Sequence, residues 1–108
     1  MIKRTGLRIG NTILFNGERD EVTSIGKFIN GKNHGIYSED LLEGIPITED
    51  TLVELGFTST EKYRYSNGVI DIFFDDNEMD YLGMSCKYLH ELQNAYPVWT
   101  NGIELLVR

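Results

Sequence analysis

The chain has 108 residues, of which 41% are apolar and 25% charged, with a formal net charge of −7. Those proportions exclude a disordered chain and fit one globular domain, 1–108, able to build a core without staples. Cys86 is the single cysteine, which excludes an internal disulfide framework and a multi-cysteine zinc site.

No apolar run reaches the length of a membrane span. Lys3 and Arg4 near the start are not followed by the apolar core of a signal peptide, so a cytoplasmic location is expected. Charge is distributed unevenly. Residues 1–34 carry six basic side chains against Glu18, Asp20 and Glu21, a net of +3, whereas residues 35–108 carry four basic and fourteen acidic ones, a net of −10. The acidic second half disfavours nucleic acid as a partner, because phosphate binding needs clustered basic groups. The basic residues of the first half are scattered.

In chain order, residues 11–15 read as a strand, Asn16-Gly17 as a tight hairpin turn, and residues 21–25 as the return strand. Phe28-Ile29 and Ile36-Tyr37 are two further short apolar segments flanking the polar loop 30–35. Several short strands punctuated by glycine predict a small bent sheet or SH3-like barrel over residues 1–46. Gly44-Ile45-Pro46-Ile47-Thr48 reads as a hinge, since Pro46 removes a backbone donor and holds Ile45 extended.

The second half, 47–108, predicts an α+β arrangement sharing one core with the first. Thr48 caps a short helix that Gly56 closes, with Glu49 and Asp50 complementing its positive end. Tyr63–Tyr65 and Val69–Phe74 form a hairpin about Ser66-Asn67-Gly68, and Ile70, Ile72 and Phe74 share a face. Asp75-Asp76-Asn77 is another turn, and Met79–Met84 a third strand, giving three to four antiparallel strands in all. The main helix starts at Ser85 or Cys86 and ends at Pro97. Tyr88, Leu89, Leu92, Ala95 and Tyr96 form its apolar stripe, and the helix packs on the sheet. Asn101-Gly102 turns into a closing strand, Ile103–Val107.

Five features carry candidate chemistry. The carboxylates Asp71, Asp75, Asp76, Glu78 and Asp80 read as a solvated hairpin turn. They lack a glycine at the spacing of a calcium loop, so no metal is expected, and an acidic docking patch is the other reading. Lys32 and His34 lie in a glycine-flanked loop whose amides are able to cradle an anion, although a hairpin loop explains the glycines equally. His90, Gln93 and Asn94 share one face of the main helix. They bind a polar ligand or partner, or tie the helix to neighbouring strands. Glu91 is adjacent and expected to point elsewhere. Cys86 has no assignable base and reads as structural. Tyr96 and Trp99 read as core or as the edge of a binding face.

The segments Leu7–Asn11, Phe15-Asn16-Gly17, Asn30–Ile36, Ile47–Phe57, Tyr88–Tyr96 and Thr100–Leu105 together resemble an uncharacterised family of small proteins encoded on phages, prophages and mobile elements of gut bacteria. The likeness covers most of the chain and is most specific over His90–Tyr96; Pro97 departs from it. The resemblance implies a mobile-element origin and no activity.

The expected function is a non-enzymatic protein–protein interaction module without a cofactor. Its partner is a protein, not nucleic acid or a membrane, and a homodimer stays open. One alternative is a small-ligand (nucleotide) binding or sequestering protein, with Lys32, His34 and arginines lining a pocket. Another is an acidic decoy of a nucleic-acid-binding host protein, with the carboxylates of 71–80 in an exposed row. A nucleic-acid-binding module with Arg8, Arg19, Lys27 and Lys32 on one face is the last.

Overall fold

A computed structural model describes residues 2, 4–33 and 35–105. It is α+β, with two antiparallel sheets and two helices. His34, and Leu106 and Val107 of the expected closing strand, lie outside the described residues.

The first sheet holds β1 (Thr12–Phe15), β2 (Glu18–Ile25), β3 (Ile29–Gly31), β4 (Gly35–Tyr37) and β5 (Leu42–Glu43), in the order β4-β3-β2-β1-β5. Asn16 and Gly17 both take positive φ (49° and 87°), as the tight turn between β1 and β2 demands. β2 is the long strand, and its register shifts between Val22 and Ser24. A bulge there bends the strand, so it pairs with β1 on one side and β3 on the other. A 3-10 turn, Glu39–Leu41, delivers β5 back to the far side of β1. Asn30 and Gly31 belong to β3 and Gly35 to β4, so the polar loop is shorter than its sequence suggests.

The hinge segment is pinned rather than loose. Pro46 bridges Tyr88, the Ile47 amide donates to the Lys87 carbonyl (2.9 Å), and the Ile45 carbonyl accepts from the Leu89 amide (2.8 Å). Helix α1 (Glu49–Glu54) follows. The Thr48 hydroxyl accepts from the Thr51 amide, and Leu55 and Gly56 end the helix.

The second sheet is a five-stranded meander of β6 (Thr58–Glu61), β7 (Arg64–Ser66), β8 (Asp71–Asp75), β9 (Glu78–Tyr81) and β10 (Met84–Cys86). Two of these strands depart from the sequence reading. β6 carries no buried residue, so it gives no alternating apolar signal. The expected single strand Met79–Met84 is two, folded at Leu82-Gly83, where both residues have positive φ (49° and 84°). Helix α2 (Leu89–Trp99) begins later than expected, because Ser85 and Cys86 belong to β10. Pro97 sits inside the helix rather than ending it. It lies in the last turn, so its missing N–H removes one intrahelical bond near the helix end, and its carbonyl accepts from the Gly102 amide (2.7 Å). Residues Ile103–Leu105 form no strand.

The buried apolar residues fall into two clusters, not the single shared core expected. One unites Ile13 and Phe15 of β1 with Val22, Ile29, Leu42, Ile2 and Leu7. The other joins Tyr65, Ile72, Phe74, Met79 and Cys86 of the second sheet to Leu52 of α1, Leu55 at its end, and Leu89, Leu92 and Tyr96 of α2. The second sheet therefore has one face covered by helices and one open.

Candidate functional site

Helix α2 joins the two clusters. Its apolar stripe lies on the second sheet, while Gln93 and Asn94 reach the first. The Gln93 side-chain carbonyl accepts from the Thr12 amide (2.7 Å), and its Nε2 donates to Thr12 Oγ1 (3.3 Å). Asn94 Oδ1 accepts from Asn11 Nδ2 (2.8 Å), and Asn94 Nδ2 donates to the Gly6 carbonyl (3.0 Å). Asn11 is itself buried, and its Oδ1 accepts from the Arg8 amide (2.8 Å). Gln93 thus ties the helix to β1, and Asn94 ties it to the residues that precede β1.

His90, on the same helix, faces a cleft of about 360 Å³ at the seam between the halves, lined also by Ile2, Thr5, Gly6, Glu43, Gly44, Tyr88 and Glu91. Tyr88 precedes α2 in extended conformation. Its ring lies over the backbone of Gly44, where an added Cβ would sit 2.7 Å from ring carbons, so only glycine admits this packing. The Tyr88 and His90 rings are inclined by 20° with centroids 6.0 Å apart. His90 is only 6% exposed, and its Nδ1 has no hydrogen-bond partner. Burial holds the imidazole below its ordinary pKa of 6.5, against an opposing pull from the Glu91 carboxylate. Glu91 does not point away. It turns back over the helix start, and its Oε1 accepts from the Lys87 and Tyr88 amides (2.9 and 3.0 Å).

Cys86 is buried. Desolvation first, then the Glu91 and Asp80 carboxylates, push its thiol up to about 11, which keeps it protonated. Among the described residues, no three His, Cys, Asp or Glu side chains are grouped to hold a metal.

Lys32 stands exposed in the β3–β4 turn, and its amide donates to the Glu21 carbonyl (2.9 Å). The next amide, of Asn33, points at an anion the chain itself supplies: Asp20 Oδ2 accepts from it at 2.7 Å, and Asp20 Oδ1 accepts from the Glu21 amide at 2.8 Å. Asp20 is 5% exposed and packs so closely on Gly31 that a Cβ there would lie 2.5 Å from its carboxylate. Sequence reading missed this residue. Strand alternation would have found it, because Asp20 shares a face with Val22.

The open face of the second sheet gathers the acidic residues. Register puts Arg64 opposite Phe73, Phe73 opposite Asp80, and Asp75 opposite Glu78. Directly opposed residues share a face, so Asp71, Phe73 and Asp75 of β8 stand beside Asp80 and the half-buried Glu78 of β9. Phe73 is 51% exposed at the middle of this face, and the Arg64 guanidinium lies 5.0 Å from its ring centroid.

Comparison with protein families, curated proteins and solved structures gives no match for this chain.

Proposed function

We propose that this protein is a non-enzymatic interaction module whose open acidic sheet face docks a basic segment of a partner protein. The observation that carries the reading is the alternation of β8: Ile72 and Phe74 are buried against the helices, which leaves Asp71, Phe73 and Asp75 together on the uncovered side with Asp80. An exposed aromatic ring ringed by carboxylates suits lysine and arginine side chains, since cations favour both groups. Arg64 over Phe73 is an intramolecular instance of that contact. Where the partner's basic surface is itself a nucleic-acid site, docking here makes the protein an acidic decoy.

The first half is best read as an SH3-like barrel. Support comes from its five short antiparallel strands, the bulged β2 that pairs on both sides, and the 3-10 turn that returns β5 to β1. A mobile-element origin rests on the sequence resemblance of Tyr88–Tyr96 and its companion segments. A cytoplasmic setting agrees with the lone cysteine.

The test is capture from a bacterial lysate, comparing the native chain with an Asp71→Asn/Asp75→Asn/Asp80→Asn variant. The expected partner is retained at low salt, leaves as ionic strength rises, and is not retained by the variant. Screening shortens from about 10 Å at 0.1 M salt to about 3 Å at 1 M, so a contact through exposed carboxylates must weaken across that range. Equal capture by the triple variant, or none by the native chain, overturns the reading.

A further inference from the structure

We propose that Met84 is a reversible oxidation site, where hydrogen peroxide converts the thioether to the sulfoxide and the indole N–H of Trp99 holds the new oxygen. The proposal stands apart from the sheet-face reading and uses none of the residues that carry it.

Position selects the sulfur. Met84 opens β10, an edge strand of the second sheet, and is 55% exposed. The other sulfur atoms of that sheet belong to Met79 and Cys86, both buried. Strand alternation puts Met84 and Cys86 on one face, so the same side of β10 carries an accessible sulfur at its start and a shielded one at its end. Cys86 does not compete for the oxidant. The thiolate is the nucleophilic form, and this thiol stays protonated with its pKa pushed up to about 11. A thioether needs no deprotonation to react, so between Met84 and Met79 exposure decides.

Trp99 determines what the oxidation does. It is the last residue of α2, and its Nε1 donates to Met84 Sδ at 3.3 Å. Its ring packs on Tyr81 with centroids 4.9 Å apart, and Tyr81 lies opposite Met84 across the β9–β10 hairpin. The indole is thus held against the hairpin with its single donor aimed at sulfur. An indole N–H donates only, and a thioether is a weak acceptor. Sulfur has two lone pairs. The indole engages one and leaves the other for the peroxide. That pair attacks the nearer peroxide oxygen, so the S–O bond forms as the O–O bond breaks. The departing hydroxide takes the proton of the sulfur-bound hydroxyl and leaves as water. Sulfur is oxidised by two electrons, which the peroxide accepts. In a packed core the new oxygen would disrupt apolar contacts. Met84 is exposed, and its rotatable side chain lets the oxygen swing to the indole N–H. The sulfoxide oxygen is a stronger acceptor than the thioether, so the contact between β10 and the end of α2 survives oxidation and tightens.

Trp99 is the single tryptophan, so one indole N–H signal reports on the site. The full chain is treated with hydrogen peroxide while peptide masses and the indole N–H signal in NMR are followed together. Met84 is expected to gain one oxygen while Met79 stays a thioether. The indole signal should move downfield as oxygen replaces sulfur, and methionine sulfoxide reductases should return both mass and signal. Met84→Leu keeps an apolar side chain without the sulfur, so its indole signal should ignore peroxide, which separates Met84 from every other oxidised position. Thermal melts should show the oxidised native chain still folded. The proposal is overturned if Met84 stays reduced, or if Met79 is oxidised in step with it. It is equally overturned by an indole signal that stays put or moves upfield on Met84 oxidation, by the same response in Met84→Leu, or by loss of the folded transition.

Discussion

The imidazole of His90 gives up most of its solvent on folding without gaining a partner for Nδ1, and that loss selects its neutral form. The consequence for stability has a definite sign. The folded pKa lies below the ordinary 6.5, with burial the larger cause and Glu91 opposing it. The unfolded chain therefore binds the proton more readily, and unfolding is favoured by acid. The contribution is intact above 6.5, erodes as the pH falls from there to the folded value, and is constant below that. Urea unfolding from about pH 7.5 to about pH 5.5 should show the midpoint of the native chain dropping more than that of His90→Leu, since only the native chain carries this linkage. His34 is common to both proteins and cancels. Parallel pH profiles for the two would mean that His90 keeps its proton equally in both states.

At the scale of elements, the hairpin between β9 and β10 carries avoidable strain. Leu82 holds φ at +49° in a tight turn, a region that costs an ordinary side chain about 1–2 kcal/mol. It is 85% exposed, so its apolar surface offers little in return. Leu82→Asn should raise stability by about 0.5–1 kcal/mol, because asparagine tolerates this conformation ahead of glycine. Chemical denaturation measures the change, and a loss of stability would show that Leu82 makes a contact the turn depends on. The same hairpin marks where sequence ceases to be legible. Asn16-Gly17 announces its turn by chemistry, Thr48 and Gly56 bracket α1, and Ile70, Ile72 and Phe74 declare a buried face. Leu82 announces nothing, so Met79–Met84 reads as one strand, and the misplaced end then draws the start of α2 back to Ser85. β6 fails differently, since none of its residues is buried and periodicity has nothing to report. The candidate sites follow the same rule. Helix spacing places His90, Gln93 and Asn94 on one face, but the partners of Gln93 and Asn94 lie more than 80 residues away in sequence.

At the scale of the whole molecule, two apolar clusters behave as one unit only if something couples them. The described side chains offer few links. Arg19 and Glu54 pair at 3.5 Å across the halves, but both are largely exposed, and such pairs contribute little. Gln93 and Asn94 are different, because their partners include the amide of Thr12 and the buried side chain of Asn11. Losing such partners costs about 1–3 kcal/mol for each polar group left buried. Gln93→Ala/Asn94→Ala should therefore destabilise the first sheet by about 2–4 kcal/mol while leaving the cluster of Leu89, Leu92 and Tyr96 intact, since those residues point the other way. Calorimetry reads the outcome directly. The native chain should melt in one transition, with equal calorimetric and van't Hoff enthalpies, and the double variant in two, the sheet of β1–β5 first. A single undisturbed transition in the variant would place the coupling elsewhere, in the packing of Tyr88 on Gly44 and the bridge from Pro46.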